Sequence, residues 1–455
     1  MTAQTILPAN TLSSGGFQVN NSVRFNSADS ADLRISDYSG AGTSRRIRTY
    51  SMWIKRSELS YAVIFGSAGK DHWVFNANNT IQFNIGSGTD SRRVTTRLFT
   101  DVTAWYHLVF AYDTTQGTAA NRFTLWVNGV ETSTAIVGGK NDVQQNEDAL
   151  VFINNDTHTI GSDEDGASYF DGYMAEWVFV DGQKLDADSF GEFDEDSGIW
   201  KPIDVSGITL GTNGFYLDFQ TASDLGIDAG NDNDFEPTNL AATDQTTDTC
   251  TNNFCTMNPL SSGMTLTEGN TNVAGAATAK STFAVSSGKW YVEMKATNAQ
   301  TYNPVVGIAT ASSSDSGDPG SSAHPGSFVE SHGYDRSGVI KSNDNSAVQA
   351  SLTTSQDDGD IIGLAIDLDS GTKTAQWYVN GSSVGSAVTL VSNDAYVFMT
   401  YASGSQAGTG AWNFGNPSYA NSSSAADGNG FGDFEYAPPS GYLALCTKNL
   451  ASTGG

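Results

Sequence analysis

Apolar residues in this chain come in short runs or in alternation with polar ones, and turn formers separate the runs every few residues. The clearest runs are Ser51–Lys55, Trp73–Phe75, Thr80–Ile85, Tyr106–Tyr112, Phe123–Val127, Tyr173–Val180 and Gly214–Phe219. Lys289–Ala296, Val305–Ala309, Ile361–Asp367, Ala375–Val379 and Tyr396–Tyr401 continue the pattern. A period of two, or an unbroken run of strand length bounded by Gly, Asn, Asp and Ser, is what a β-strand requires. No long stretch repeats apolar residues at i, i+3, i+4 and i+7. The pattern therefore predicts an all-β chain of antiparallel sandwiches with very little helix, rather than a parallel α/β sheet.

Two segments predict matching hairpins. Phe123–Gly129 reads FTLWVNG and Thr374–Gly381 reads TAQWYVNG. In each, Asn-Gly follows a Trp-containing strand, as a type I′ turn favours because both central residues take positive φ. Each also follows a strand ending in Asp, at Asp113 and Asp367. The recurrence predicts two sandwiches of related architecture. The polar stretch Ser223–Asp248 offers little to build a core, so the boundary is placed near 238. The expected organisation is an arm over 1–16, one sandwich over 17–238 and a second over 239–455. Ala402–Phe434 reads as long loops with one strand at Gly410–Gly415, and Leu443 and Leu445 are positioned to close a sheet.

Length and composition agree with two domains, since 455 residues exceed one ordinary core and the 48 Gly suit a turn-rich chain. The formal net charge of −28 argues against broad nucleic-acid binding, which needs clustered Lys and Arg. Basic residues nevertheless concentrate early: Arg24, Arg34, Arg45, Arg46, Arg48, Lys55, Arg56, Lys70, Arg92, Arg93 and Arg97 precede residue 100. Either strands interleave so that these charges are neutralised locally, or they form a basic docking face for an acidic partner. Cys250, Cys255 and Cys446 are too few for a disulfide scaffold and have no zinc spacing, so a structural role in a reduced compartment is expected. No apolar run approaches the roughly 20 residues that span a bilayer, so no membrane insertion is expected. Met1–Gly16 has neither a basic n-region nor an apolar h-region, and no secretory signal is expected.

The first half resembles the laminin-G/concanavalin A-like jelly roll through SVRFNSADSADLRIS, YSMWIKRSE, WYHLVFAYD, RFTLWVNGVE and TIGSDEDGASYFDGYMAEWVFVDG. The second resembles a SPRY domain through SSGKWYVEMK, VVGIATA, HGYDRSG and GDIIGLAIDLDSGTKTAQWYVNG. The pairing is similar to virion structural proteins of marine bacteriophages, as are the linker TDTCTNNFCTMNPL and the ending PPSGYLALCTKNL. That resemblance implies a non-enzymatic, multi-copy or oligomeric particle component, made in the host cytoplasm and partnered by tail or capsid subunits. It implies either a tail-fibre-type adhesin recognising a host glycan or other envelope component, or a capsid decoration protein docking through the basic segment. The matches fall on framework strands and transfer no binding residue.

Jelly rolls of this class can also be glycanases or bind calcium, and the residues allow each to be tested. A retaining glycosidase needs two carboxyl groups roughly 5–5.5 Å apart. Glu192, Asp194 and Asp196 alternate, but a polar, Gly-bounded setting reads as a loop and a further Glu is missing, so polysaccharide hydrolysis is the least favoured function. No cofactor is required by the sequence. Calcium wants several oxygen ligands, and the resemblance directs attention to Asp163, Asp165 and Asp171, with Glu164, in TIGSDEDGASYFDG. Asp228, Asp232 and Asp234 form a second acidic loop. Neither follows the EF-hand pattern. The five histidines form no HxH or HExxH pair, and His107 reads as packed within an apolar strand. Trp53, Trp73, Trp105, Trp126, Trp177, Trp290 and Trp377 are expected mainly in the core, and a glycan site on the loops.

Overall fold

A computed structural model describes residues 16–452, apart from 37, 39–41, 68–70, 86–89, 154–155, 164, 298–304, 315–324, 326–329, 343–345, 350–351, 353–355 and 403–408. The expected arm over 1–16 therefore lies, save for Gly16, outside the described residues. The protein is nearly all β, with 43% strand against 6% helix, as the apolar pattern predicts. Among the described residues no helix is long and apolar enough to cross a membrane. The chain forms two compact units that divide at Thr251/Asn252.

In the first unit two eight-stranded antiparallel sheets face each other. One runs Val130–Glu131, Phe123–Val127, Tyr106–Asp113, Ile47–Arg56, Gly172–Asp181, Ser22–Phe25 and Gln245–Thr246, and Phe215–Leu217 also pairs with Gly172–Asp181. The other runs Thr134–Ile136, Ser91–Thr95, Ile81–Ile85, His72–Phe75, Ala62–Ser67, His158–Ile160, Asp32–Ile35 and Glu236–Thr238. Alternate residues of both sheets meet in an aromatic core: Tyr50 stacks on Phe65 at 5.2 Å, and Trp73 meets Phe110 at 4.0 Å. The outer face of the first sheet is buried too. Trp53, Val109, Tyr173, Val178 and Val180 pack under Ala187, Phe190, Trp200, Val205 and Leu210 of the following segment. A strand covered on both faces reads as a nearly continuous apolar run, which is why Gly172–Asp181 is GYMAEWVFVD, buried throughout.

The second unit, over Asn252–Gly455, packs a seven-stranded sheet on a six-stranded one. The first is ordered Thr265–Thr267, Asn272–Ala274, Thr409–Asn413, Lys289–Ala296, Ile361–Asp367, Lys373–Val379 and Ser382–Leu390. The second is ordered Thr278–Val285, Tyr396–Tyr401, Val305–Thr310, Ser331–Asp335, Val339–Ser342 and Ser346–Gln349. Trp290, Trp377 and Trp412 fill the space between them, and the Trp377 indole N–H donates to the Val306 carbonyl at 2.9 Å. On the outer face Glu293, fully buried, accepts from the backbone N–H groups of Glu435 and Tyr436 at 2.9 Å each and from the Tyr291 hydroxyl at 3.1 Å. This carboxylate ties down the C-terminal segment, whose Leu445 is buried and whose Leu443 bridges Trp290.

Both Asn-Gly hairpins form with positive φ at each central residue: 51° and 76° at Asn128 and Gly129, 48° and 76° at Asn380 and Gly381. The equivalence extends to hydrogen bonds. Asn128 Oδ1 accepts from His107 N and Asn380 Oδ1 from Ile361 N, so each turn caps the preceding strand. The shared tryptophan is misleading, however. Trp126 lies two residues before its Asn and packs on the outer face, whereas Trp377 lies three before and fills the core. One residue of offset reverses the face of a strand.

The unit boundary falls later than the expected 238, because the polar segment beyond it completes the first sheet. Gln245–Thr246 pairs with Ser22–Val23. Asp248 forms an ion pair with Lys55 at 2.8 Å and accepts the Trp105 indole N–H at 3.1 Å. Four of the early basic residues pair with acids from later in the chain, Arg46 with Asp148, Arg93 with Asp142, Arg24 with Asp244 at 3.7 Å and Lys55 with Asp248, and Arg34 and Arg92 pair with the nearby Asp32 and Asp90. Arg24, Arg48, Lys55 and Arg56 are buried, so these four cannot belong to a docking face.

Candidate functional site

The strand Gly172–Asp181 carries an irregularity whose side chain is chemically unusual. Opposite Ile47–Arg56 the register passes from Ala175↔Trp53 to Val178↔Ser51, so Glu176 and Trp177 together oppose Met52. This is a β-bulge, and Glu176 sits in it with φ of 49°, a left-handed conformation that is strained for a side chain of this size. The bulge also marks where the neighbouring strand changes, from Ser22–Phe25 to Phe215–Leu217. Tyr216 pairs with Val178 and shares its outer face, and its hydroxyl donates to Glu176 Oε2 at 2.6 Å. Burial pushes the Glu176 carboxyl up to about 7, with a further push from Asp218 and Asp204. Burial and the adjoining Glu176 also raise the Tyr216 phenol above its ordinary value.

Tyr216 opens onto a groove of about 830 Å³ on the outer side of this sheet, inside the roughly 300–1,000 Å³ of small-molecule sites. Phe17, Val205, Ile208, Leu210 and Tyr216 give it apolar and aromatic wall, and Asp204, Asp218, Gln220 and Asn231 give it hydrogen-bonding groups. Its rim is fixed by local turns. Asp204 Oδ1 accepts from Ser206 N at 2.9 Å, and Asp218 Oδ1 accepts from Gln220 N at 3.0 Å. Asp228 holds the opposite wall: its carboxylate accepts from the backbone N–H groups of Tyr216, Gly230, Asn231 and Asn233 at 2.7 to 3.0 Å. Asn231 and Asn233 then donate to the Gly214 carbonyl. The acidic loop read as a second calcium candidate is thus organised around one of its own carboxylates.

In the first acidic loop two of the described carboxylates accept hydrogen bonds, one from within the loop and one from a distant segment. Asp163 Oδ1 accepts from Ala167 N at 2.7 Å, Asp171 Oδ2 accepts from Ser27 Oγ at 3.0 Å, and Asp165 is exposed. Glu164 lies outside the described residues. Among the described residues no three His, Cys, Asp or Glu side chains come together to hold a metal ion. Glu192 belongs to a short hairpin, Gly191–Phe193 with Trp200–Pro202, where the sequence suggests a loop. Lys201 reaches both Glu192 and Asp194 at 3.2 Å, and Asp194 also caps the turn through Ser197.

His107 is buried as expected, and its bonds define its protonation. Nδ1 accepts the Trp200 indole N–H at 2.8 Å, which leaves the proton on Nε2, facing Ser51 Oγ at 2.9 Å. A histidine that donates to the hydroxyl cannot take its proton, so Ser51 is no activated nucleophile. Burial lowers the His107 pKa to about 3. Of the seven tryptophans expected in the core only Trp126 is half-exposed. The groove was missed because its residues come from four separate segments. One signal was present in the sequence: an isolated Glu inside the apolar strand AEWVFV, a position where an acid is buried only with a partner.

A family model described as the concanavalin A-like lectin/glucanases superfamily matches residues 21–188, within the first unit. That segment has the lectin-type sandwich fold, and the chain also has a SPRY-like structural neighbour. None of the curated proteins matches the chain. Among solved structures it is similar to a putative carbohydrate binding protein from Bacteroides ovatus, at 14% identity and a TM-score of 0.34, over 49% of this chain. The match covers 58% of that protein's length. It is also similar to a heptameric SAP-like pentraxin from Limulus polyphemus (14% identity, TM-score 0.28, 37% of this chain and 80% of that one). The TRIM65 PSpry domain matches at 14% identity and a TM-score of 0.28, over 35% of this chain and 88% of that domain.

Proposed function

We propose that the chain is a non-enzymatic glycan-recognition protein carried on the surface of a bacteriophage particle, with the Tyr216 groove as its saccharide site. The observation that carries the binding reading is the groove's composition. An aromatic and aliphatic wall suits the apolar C–H face of a sugar, and Asp, Gln and Asn side chains around it suit ring hydroxyls. One wall is held by backbone hydrogen bonds to Asp228 and the rim by the Asp204 and Asp218 turns, so little ordering cost falls on the ligand. Weak single-site affinity would be multiplied by copy number on the particle. The particle assignment rests on the sequence resemblance, with tail adhesion preferred to capsid decoration because four of the early basic side chains are buried. The non-enzymatic reading is supported by the engagement of Glu192 and Asp194 with Lys201 and by the His107 tautomer.

The test is binding of the purified chain to a glycan array and to host envelope polysaccharide, with calorimetry on the hits. Tyr216→Ala and Phe17→Ala should each weaken binding by at least about tenfold, the scale of losing one well-placed aromatic contact. Release of new reducing ends from bound polysaccharide would overturn the non-enzymatic reading. Tracing the chain into cryo-electron microscopy density of intact particles tests the location.

A further inference from the structure

The groove has a one-sided charge. Asp204 and Asp218 both line it, and among the described residues no Lys, Arg or His does. Neither aspartate forms an ion pair among the described residues, and each is oriented by the backbone N–H two residues on rather than by a cation. Lys201, beside Gly16 at the neighbouring turn, is engaged by Glu192 and Asp194. The field of the two aspartates reaches the groove floor, since both act on Glu176 behind Tyr216 and push its carboxyl upward. An incoming carboxylate or sulfate would meet the same repulsion with no counter-charge. A protonated amine would instead find two acceptors already turned by their own loops.

Resting on the reading of the groove as a saccharide site, we infer that it selects amine-bearing sugars and rejects anionic ones, with Asp204 and Asp218 as the selecting residues. The contacts of Gln220, Asn231 and the aromatic wall are uncharged and common to all sugars, so the discrimination by charge resides in these two carboxylates. It acts through charge and is therefore screened by salt.

The experiment uses matched oligosaccharides on several backbones, each as the free amine, the N-acetyl form and the uronic acid, titrated into the full chain at about pH 6, where the amine is charged. The amine should bind about tenfold tighter than its N-acetyl counterpart at low salt, the uronic acid should bind weakest, and the order should flatten near 1 M salt. The double variant Asp204→Asn/Asp218→Asn keeps a side-chain acceptor for each turn. With an unchanged Tm, it should lose the amine preference: the ratio of amine to N-acetyl affinity should fall to about one at low salt, whatever the absolute affinity of either form. Uronic acids binding as tightly as amines, or a preference surviving in the double variant, overturns the inference and leaves the saccharide reading in place. Binding by none of the three forms, or binding indifferent to Tyr216→Ala and Phe17→Ala, removes the saccharide reading and the inference with it.

Discussion

Asp248 is the residue whose removal tests most directly how the first unit is held together. It is fully buried and lies in a segment whose polar composition reads as linker. Its Oδ2 is 2.8 Å from Lys55 Nζ, its Oδ1 accepts from Trp105 at 3.1 Å, and its carbonyl accepts from Ser22 Oγ at 2.6 Å. Lys55 is itself 2% exposed and lies over the Tyr173 ring. Asp248→Ala would leave an ammonium buried without its carboxylate, a loss of about 3–5 kcal/mol. The orphaned Trp105 donor is part of that figure rather than an addition to it. For a unit of this size the expected fall in Tm is roughly 10 °C. Differential scanning calorimetry of the full chain measures it, supported by urea titration at constant m. Lys55→Met/Asp248→Leu, which removes both charges and keeps the volume, should recover most of the loss, because a buried pair is worth little more than its apolar replacement. A single-variant loss below about 1 kcal/mol, the scale of an exposed pair, would refute the argument. A double variant no better than the single would do so equally.

Four further outcomes follow from the same geometry. A fragment over 12–251 should give a cooperative unfolding transition and one over 12–238 should not, because only the longer includes Gln245–Thr246 and Asp248; circular dichroism melts distinguish them. Gly129→Ala places a methyl group 2.2 Å from the Trp200 ring at φ of 76°, and with a left-handed penalty of about 1–2 kcal/mol plus overpacking it should cost about 3 kcal/mol in urea denaturation. Glu176 is raised from 4.5 to about 7, so the folded state holds its proton more tightly; the stability this confers is complete below about pH 4.5 and is lost as pH rises through about 7, at most roughly 3 kcal/mol. Glu176→Gln should flatten that slope in the first-unit transition, and an unchanged slope would refute the assignment; Glu293, also raised to about 7, contributes the same sign to the second unit. Asp228→Ala removes the acceptor of four backbone N–H groups and should lower stability by about 3 kcal/mol, with calcium and chelator leaving the Tm of the parent chain unchanged.

The strands were legible because their signal is local. Phe123–Val127, Lys289–Ala296, Ile361–Asp367 and Tyr396–Tyr401 form with the bounds that alternation and turn formers predict, and Asn-Gly specified both type I′ turns through backbone sterics alone. Ala62–Ser67 and Ser382–Leu390 carried weaker patterns and emerged only with their partners in place. What the sequence could not decide was which distant residues meet. Asp248 reads as linker until Lys55 and Trp105 surround it, and part of the early basic excess is cancelled only when Asp142, Asp148 and Asp244 return to Arg93, Arg46 and Arg24. The second acidic loop reads as a run of carboxylates until four backbone amides converge on Asp228 alone. Glu176, Tyr216, Asp204 and Asp218 come together as a candidate site only because a bulge turns one strand's acid toward the face where another strand and two loops converge. Periodicity and turn chemistry depend on neighbours a few residues apart and are written in the chain; burial, pairing and a groove depend on contacts across hundreds of residues, which only the folded structure supplies.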